Sequence, residues 1–255
     1  MKKLENKVSI VTGAGAGMGK AIALLFAAEG CKVVATDIDQ RRMDVLAKEI
    51  KEKGGELTTL IANMAKEEDI ENMIRVAVTK YGTLDILVNN AGIMDNFQPV
   101  AEVENSLMEK VMKINFEGPF KAMRSAMKIF LAKGSGNIIN VCSIGGIKGG
   151  VAGAAYTSSK HALIGLTKNT GYMYSKSGIR CNAIAPGAVN TSIAETIDMS
   201  KITPLVNDRI MSGMALMPRA GEPIEVAKVA LFLASEDASF VNAHVCVVDG
   251  GWSAY

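Results

Sequence analysis

The alternation of short apolar runs with longer amphipathic stretches constrains the fold of this sequence more than any other feature. The apolar runs are rich in β-branched residues and stay apolar along their length, which is typical of strands buried on both faces. The stretches between them place apolar residues at helical spacing. Strands that alternate with helices form a parallel sheet covered on both faces. The pattern therefore predicts an α/β fold, a doubly wound parallel sheet of about seven strands.

The predicted elements follow each other in strict alternation. Strands are expected at residues 8–11, 31–35, 57–61, 84–88, 137–141, 179–185 and 244–248. Helices are expected at residues 17–29, 41–53, 67–80, 155–175 and 224–234, with two more within 103–133. Residues 188–220 form an irregular, polar and Met-bearing region, and no Pro- or Ser-rich linker divides the chain. We therefore expect a single domain over residues 1–255.

Composition excludes several classes of protein. The 28 basic and 26 acidic residues nearly balance, and no basic stripe or motif is present, so nucleic acid is not an expected partner. No apolar run approaches the roughly 20 residues that span a bilayer, and no apolar segment follows Met1-Lys2-Lys3. The four cysteines are scattered without a C-x-x-C. We expect a cytoplasmic protein with no membrane contact and no metal site.

A glycine-rich turn lies between the first predicted strand and the first predicted helix. Residues Thr12 to Gly19 have the pattern T-G-x-x-x-G-x-G. Glycines let a backbone turn sharply and approach a pyrophosphate, and the helix that follows offers free N–H groups. The alternative is a tight strand-to-helix turn with no ligand. The position after the first strand favours dinucleotide binding.

Asp37 stands at the end of the second predicted strand, about 20 residues past the glycines, where a carboxylate can accept hydrogen bonds from the adenosine ribose. It would repel the 2′-phosphate of NADP, and no Lys or Arg lies within the turn before Gly19. NAD is therefore the expected cofactor. The alternatives are a solvated loop carboxylate at Asp37 and a helix-capping role for nearby Asp39.

Four polar residues are candidates for chemistry. Tyr156 and Lys160 are four residues apart at the start of a predicted helix, so they share one face. An ammonium near a phenol favours the phenolate and lowers its pKa from about 10. Ser143 follows the fifth strand, and Asn115 lies in the helical region before it. Each alone has a plain structural alternative, since a Y-x-x-x-K pair occurs by chance on many helices.

Taken together, these motifs resemble one family. T-G-x-x-x-G-x-G, N-N-A-G, Asn115, Ser143, Y-x-x-x-K, P-G-x-x-x-T and a final V-D-G-G occur in this order. The chain resembles the short-chain dehydrogenase/reductase family along essentially its whole length. This resemblance is specific for the family and weak for the substrate. It implies a Rossmann-like fold and an NAD-dependent oxidoreductase that interconverts a secondary alcohol and a ketone.

The resemblance also implies roles for individual residues. Tyr156 would be the general acid in ketone reduction and the general base in alcohol oxidation. Lys160 would lower the Tyr156 pKa and bind the nicotinamide ribose. Ser143 would polarise the carbonyl oxygen, and Asn115 would support a water that links Lys160 to solvent. The implied cofactor contacts are Gly13, Gly17, Met18, Gly19, Asp37, Asn63, Met64, Asn90, Ala91, Gly92, Tyr156, Lys160, Pro186, Gly187, Val189 and Thr191.

Two positions depart from the family pattern. Asn63, followed by Met64, replaces the usual Asp that contacts adenine, and an amide there can still bind the adenine amino group. Ala243-His244 replaces a more usual glycine-containing turn. The family resemblance also implies a homotetramer, for which the helix face bearing Tyr172, Met173 and Tyr174 is a candidate interface.

The substrate is expected to be a small molecule held by residues 93–98, 144–154 and 191–217, which carry Met, Ile, Val and Ala and few charges. The alternatives are a 3-oxoacyl thioester on acyl carrier protein, a sugar or polyol, and a hydroxysteroid. Gly134 and Tyr172 stand where carrier-dependent relatives have basic residues, which disfavours the carrier. A catalytically silent cofactor-binding regulator is the non-enzyme alternative.

Overall fold

A computed structural model of the chain describes residues 2–254. Seven strands form one sheet in the order β3-β2-β1-β4-β5-β6-β7, and every neighbouring pair is parallel. The predicted doubly wound parallel sheet is confirmed. The strands are β1 Val8–Thr12, β2 Lys32–Asp37, β3 Glu56–Ile61, β4 Ile86–Asn89, β5 Gly136–Val141, β6 Ile179–Pro186 and β7 Val245–Val248.

The order of strands reverses between β1 and β4. Val11 of β1 is in register with Ala35 of β2 on one side and with Val88 of β4 on the other. The chain leaves β1 toward β2 and β3, and then returns to add β4 to the opposite edge of β1. Ligands of open parallel sheets bind beyond the carboxyl ends of the strands at such a reversal.

Seven longer helices cover the sheet. They are α1 Gly17–Ala28, α2 Gln40–Glu52, α3 Glu67–Tyr81, α4 Asn105–Met112, α5 Gly118–Lys133, α6 Ala154–Met173 and α7 Pro223–Ala234. One core cluster joins the sheet to α1, α2 and α7, with Phe26 at its centre. A second joins it to α3 and α5, with Phe130 fully buried. None of the helices among residues 2–254 is both long and apolar enough to cross a membrane.

The element boundaries agree with the predictions to within a few residues. The largest addition lies in the region predicted to be irregular, which contains the short helical segments Ser192–Thr196, Met199–Lys201, Pro204–Val206, Asn207–Met211 and Ser212–Met214. These segments lack the length and the regular apolar periodicity from which helices are predicted. The substituted turn at Ala243 has φ +56°, a left-handed conformation in which a glycine is the usual residue.

Candidate active site

The glycine-rich turn is held against β4 by hydrogen bonds. The Thr12 hydroxyl accepts the N–H groups of Asn90 at 3.0 Å and Ala91 at 3.1 Å. The Asn90 side chain donates to the carbonyls of Thr12 at 2.9 Å and Gly13 at 3.1 Å. The predicted cofactor residues Asn90 and Ala91 therefore fix the shape of the turn from the neighbouring strand.

The glycines of the turn are required by its conformation and packing. Gly13 and Gly17 have φ of +65° and +53°, and a Cβ atom at Gly19 would lie 2.1 Å from the Gly13 carbonyl oxygen. Helix α1 begins with no side-chain cap and no acidic residue in its first turn. Its N–H groups and positive dipole end are therefore available to an anion. Met18 packs against the core beside the turn.

Asp37 ends β2 beside the turn. Its carboxylate accepts the Gly15 N–H at 2.9 Å and the Asp39 N–H at 3.1 Å. Each oxygen retains a lone pair for a further donor. Asp39 caps α2 by accepting the Arg42 N–H at 3.1 Å. The capping role considered for Asp39 is therefore present, and Asp37 is separately directed at the turn.

The two residues that were expected beside adenine, Asn63 and Met64, differ in how their side chains are used. Asn63 accepts the Ala65 N–H through Oδ1 at 2.9 Å, which leaves its amino group available for a base. The Met64 side chain is 5% exposed and packs in the core with α3 and α5. The Met64 side chain is thus part of the core.

Tyr156 and Lys160 lie on the first two turns of α6 and are 6% and 3% exposed. The Lys160 Nζ is 5.5 Å from the centroid of the Tyr156 ring. It donates to the Val141 carbonyl at the end of β5 at 3.1 Å. The four-residue spacing therefore brings the phenol and the ammonium together at the carboxyl ends of the central strands, as predicted.

Ser143 follows β5 in an extended conformation and accepts the Gly145 N–H at 3.0 Å. A Cβ atom at Gly145 would lie 3.4 Å from the Ser143 Oγ and 3.5 Å from the Tyr156 ring. The two hydroxyl-bearing side chains therefore face the same small space, and Ser143 hydrogen-bonds the Tyr156 side chain.

Burial dominates the proton affinities of this pair. It raises the pKa of Tyr156 to about 12, and the hydrogen bond from Ser143 acts in the opposite direction. Burial also lowers the pKa of Lys160. The chain alone therefore holds Tyr156 as a protonated phenol. The lowering of the Tyr156 pKa that was expected from Lys160 is therefore not found in the chain alone, because burial of the phenol outweighs it.

Asn115 lies in the π-helical turn Lys113–Glu117 that joins α4 to α5. Its fully buried amide accepts the Ile93 N–H at 2.9 Å and donates to the Ile93 carbonyl at 2.9 Å and to Ser159 at 3.2 Å. Such turns are frequent at functional sites. A Cβ atom at Gly92 would lie 3.2 Å from the Asn115 Oδ1 and 3.5 Å from the Lys160 Nζ, so glycine keeps this junction open.

The segment after β6 returns to the glycine turn. The Gly187 backbone passes so close to Asp249 that a Cβ atom at Gly187 would lie 2.8 Å from the Asp249 Cβ. Val189 pairs with Gly221 in an isolated bridge. Thr191 lies over Gly17, where a Cβ atom would be 2.9 Å from the Thr191 Cγ2. Residues 186–191, which begin with Pro186 at the end of β6, therefore lead from the sheet back to the glycine-rich turn.

Two residues of the site were missed from the sequence. Arg42 lies against Gly15 and pairs with Glu195 at 3.0 Å, although it belongs to α2. Asp95 is completely buried and accepts the Tyr156 N–H at 2.7 Å. Asp95 falls within residues 93–98, which were expected only to contact substrate. The available signal was that Asp95 is the one charged residue among residues 93–98.

Comparison with known proteins decides the family. A family model described as enoyl-(acyl carrier protein) reductase matches residues 13–253. The chain belongs to the short-chain dehydrogenase/reductase family. Members of this family are oxidoreductases that act on CH–OH groups and bind a nicotinamide cofactor, and the crevice built by the glycine turn, Asp37 and α1 fits such a group.

Curated relatives cover almost the full length of this short-chain dehydrogenase/reductase. It is 39% identical over 253 residues to 3β-hydroxysteroid dehydrogenase 2 of Eggerthella lenta, covering 99% of this chain and 96% of the relative. It is 37% identical to a 3-oxoacyl-[acyl-carrier-protein] reductase of Thermotoga maritima, covering 98% of each chain. It is 36% identical to cyclohexanol dehydrogenase of an Acinetobacter species, covering 99% of this chain and 97% of the relative.

Solved structures agree with the fold. Levodione reductase superposes with a TM-score of 0.90 at 35% identity, covering 99% of this chain and 100% of that one. A gluconate 5-dehydrogenase from Beutenbergia cavernae, described as NAD(P)-dependent and holding NADP, superposes with a TM-score of 0.86 at 34% identity, covering 99% of each chain.

Proposed function

We propose that this enzyme uses NAD(H) to interconvert a free, apolar cyclic secondary alcohol and the corresponding ketone. The observation that carries the cofactor assignment is Asp37, whose carboxylate lies at the glycine turn and accepts the Gly15 N–H at 2.9 Å. A 2′-phosphate placed there would meet a like charge in a partly desolvated pocket. The nearby Arg42 is already paired with Glu195 and Asp39.

We assign the catalytic roles that the family resemblance implies, and the positions of the side chains support them. When bound, the nicotinamide cofactor supplies or accepts the hydride. Tyr156 donates its phenolic proton to the carbonyl oxygen in reduction and accepts the alcohol proton in oxidation. Ser143 hydrogen-bonds the same oxygen as negative charge develops on it. Lys160 holds the ribose and favours the phenolate, and Asn115 supports a water that carries the proton from Lys160 to solvent.

The substrate side is apolar. Phe97, Val206 and Ile210 are buried together, and the cluster is completed by Met94, Ile197, Ile202, Met211 and Met214. Flexible methionines adapt to irregular apolar ligands. The named substrates of two relatives and one structural neighbour are a hydroxysteroid, cyclohexanol and levodione, all of which are cyclic. A polyol would leave several hydroxyls without partners against this wall.

An acyl carrier is disfavoured by the charges near its expected docking positions. Gly134 ends α5, and Tyr172 is 78% exposed with no charge. The nearby Lys133 donates to Asp85 and to the Leu84 carbonyl, each at 2.6 Å, so its charge is already neutralised. Lys176 remains exposed, which leaves one cation where a basic pair is expected.

Assembly and location complete the proposal. Tyr172 and Met173 at the end of α6 are 78% and 62% exposed, whereas Tyr174 is partly buried and packs against the core. The candidate face is therefore reduced to the first two residues, and exposed apolar side chains of this kind mark protein–protein contacts. We assign this face to a homotetramer interface. All four cysteines have free thiols, which accords with a reducing, cytoplasmic location.

A substrate panel tests the proposed function. The purified protein is supplied with NAD⁺ or NADP⁺ and with cyclohexanol, a 3β-hydroxysteroid, sorbitol or a 3-hydroxyacyl thioester, and the reduced nicotinamide is measured. We expect the highest kcat/KM with NAD⁺ and one of the two cyclic alcohols. A preference for sorbitol or the thioester, or equal use of both cofactors, would refute the corresponding part of the proposal. No turnover of any alcohol would support the silent-regulator alternative.

A further inference from the structure

Asp95 is a buried carboxylate that the proposed mechanism does not use. Its side chain is 0% exposed, and its partners are three backbone N–H groups. Among the ion pairs of residues 2–254, none includes it. A buried charge with no counter-ion is costly unless its hydrogen bonds are well placed, so the positions of those bonds are informative.

Two of the bonds are made to the first turn of the catalytic helix. Helix α6 is preceded by Gly153, which has no side chain to cap it. Asp95 takes that role from a different part of the chain, because its Oδ2 accepts the Tyr156 N–H at 2.7 Å and its Oδ1 accepts the Gly153 N–H at 3.2 Å. Backbone N–H groups at the start of a helix have no partner within the helix, and a capping side chain accepts hydrogen bonds from them. The carboxylate therefore holds the backbone of Tyr156 directly.

The Gly153 backbone is packed tightly against this carboxylate. A Cβ atom at Gly153 would lie 2.6 Å from the Asp95 Oδ2 and 2.6 Å from the Phe97 carbonyl carbon. Gly153 has φ −76°, an ordinary value for any residue. Its lack of a side chain therefore serves the approach of Asp95 rather than an unusual backbone conformation.

The third bond is made to the loop after β4, which the proposed function assigns to the substrate side. The Asp95 Oδ1 also accepts the Phe97 N–H at 3.2 Å. Asn96 and Phe97 have φ of +58° and +59°, left-handed values that cost energy and persist only where surrounding contacts impose them. Phe97 packs with Val206 and Ile210 in the apolar cluster that the proposed function assigns to the substrate side. One carboxylate thus holds both the backbone of Tyr156 and the backbone of an aromatic residue of that cluster.

We propose that Asp95 is a positioning residue that fixes Tyr156 relative to the substrate wall by capping α6 and bonding the Phe97 backbone. This inference rests on the proposed function, because it gives Tyr156 the proton-transfer role. In this proposal, the buried Asp95 carboxylate helps to set the distance between the Tyr156 phenol and the substrate. Asp95 is not one of the four residues with assigned catalytic roles, which are Asn115, Ser143, Tyr156 and Lys160.

The charge of Asp95 also bears on proton transfer. Burial raises the pKa of the Tyr156 phenol most, the Ser143 hydrogen bond lowers it, and Cys142 and Asp95 raise it further by smaller amounts. The Lys160 ammonium lies 5.5 Å from the centroid of the ring. Burial raises the pKa of Asp95 itself, and its three backbone bonds oppose that shift. Removing the Asp95 charge therefore lowers the pKa of Tyr156.

The test compares two changes at this contact with a matched control. Asp95→Asn removes the charge and turns one acceptor into a donor, whereas Gly153→Ala crowds the carboxylate and keeps its charge. The control is Asp85→Asn. Asp85 accepts the Val8 N–H at 2.8 Å and pairs with Lys133, but it precedes β4, at the opposite end of the strands from Tyr156. Each variant is assayed for kcat, KM and pH profile in alcohol oxidation, and for NADH binding by fluorescence.

We expect Asp95→Asn to lower kcat about 10- to 100-fold, the size of effect that a small misplacement of a reacting group produces, with little change in the KM for NAD⁺. For alcohol oxidation by Asp95→Asn, the rise of kcat/KM with pH (the acid limb of the profile) should move to lower pH by about half a unit or more. Gly153→Ala should lower kcat without moving that limb. Asp85→Asn should lower the melting temperature and leave kcat and the pH profile unchanged.

Other outcomes have distinct meanings. If Asp95→Asn and Gly153→Ala both keep wild-type kcat, the positioning role is wrong and the proposed function stands. If Asp95→Asn does not fold, Gly153→Ala decides alone by its kcat. A wild-type enzyme that turns over no alcohol while binding NADH would overturn the proposed function, and the role of Asp95 with it.

Discussion

At the residue scale, the proposed preference for NAD(H) over NADP(H) rests on Asp37, the carboxylate at the end of β2. Its position was predicted from the distance between the glycines and the second strand, whereas the guanidinium of Arg42 beside Gly15 was not, because α2 brings it there. We expect Asp37→Ala to raise kcat/KM with NADP⁺ relative to NAD⁺ by about 10-fold or more, the effect of removing one like-charge contact. Asp37→Ala/Arg42→Gln should gain less, because Arg42 becomes the cation nearest the 2′-phosphate. Kinetics with both cofactors measure this, and an unchanged ratio in Asp37→Ala would contradict it.

The Tyr156 phenol makes the direction of the reaction depend on pH. Burial is the largest of the causes that together raise its pKa to about 12, and the bound cofactor together with the Lys160 ammonium should lower it. Oxidation needs the phenolate, so its kcat/KM should rise with pH until the pKa of Tyr156 in the complex is passed. Reduction needs the phenol and should fall over the same range. In Lys160→Ala, the pH range over which kcat/KM for oxidation rises should move to higher pH by about one unit or more. Rate profiles in both directions measure this, and an oxidation rate that falls as pH rises would refute it.

At the scale of elements, periodicity predicted every strand and every long helix, because each carries an apolar pattern that its buried face requires. It did not predict the π-helical turn at Lys113–Glu117 or the short helices of residues 192–214, because segments this short do not show a regular apolar period. The capping of α6 by Asp95 was missed for a different reason, which is the separation of Asp95 from Tyr156 along the chain. The two residues are 61 positions apart, and only the fold brings them together.

The turn before β7 offers a test of stability at this scale. Ala243 has φ +56°, and a left-handed conformation costs an alanine about 1–2 kcal/mol, whereas glycine pays about 0.5–1 kcal/mol in chain entropy. Ala243→Gly should therefore stabilise the protein by about 0.5–1 kcal/mol and raise its melting temperature by roughly 2 °C. The matched control is Ala215→Gly, at an exposed position with φ −63°, which should lower stability slightly. Thermal unfolding measures both, and a lower melting temperature for Ala243→Gly would show that the turn is not strained.

At the scale of the whole molecule, the order of motifs identified the family, whereas the substrate depends on surfaces that no motif describes. The buried cluster of Phe97, Val206 and Ile210 joins a loop after β4 to the segment after β6, and sequence reasoning named both regions without showing that they meet. The same holds for Lys133, whose pairing with Asp85 at 2.6 Å is visible only in the fold.

The charge distribution around α5 and α6 predicts how the enzyme treats an acidic carrier protein. Electrostatic complementarity mainly sets encounter rate and specificity, and Gly134 and Tyr172 supply no cations. A 3-oxoacyl chain on carrier protein should therefore react no more efficiently than the same chain on a short thiol. Kinetics at low and moderate salt measure the difference. A large, salt-sensitive advantage for the carrier form would contradict this and favour the fatty-acid alternative.

The central claim is that Tyr156 transfers the proton in an NAD(H)-dependent reaction of a cyclic alcohol or ketone. The most direct measurement is the NADH-dependent reduction of cyclohexanone by the wild type and by Tyr156→Phe, with NADH affinity followed by fluorescence. Phenylalanine keeps the ring and removes only the hydroxyl. The account predicts that turnover falls about 10²–10⁴-fold while NADH affinity is nearly unchanged. Near-normal turnover in Tyr156→Phe would contradict it.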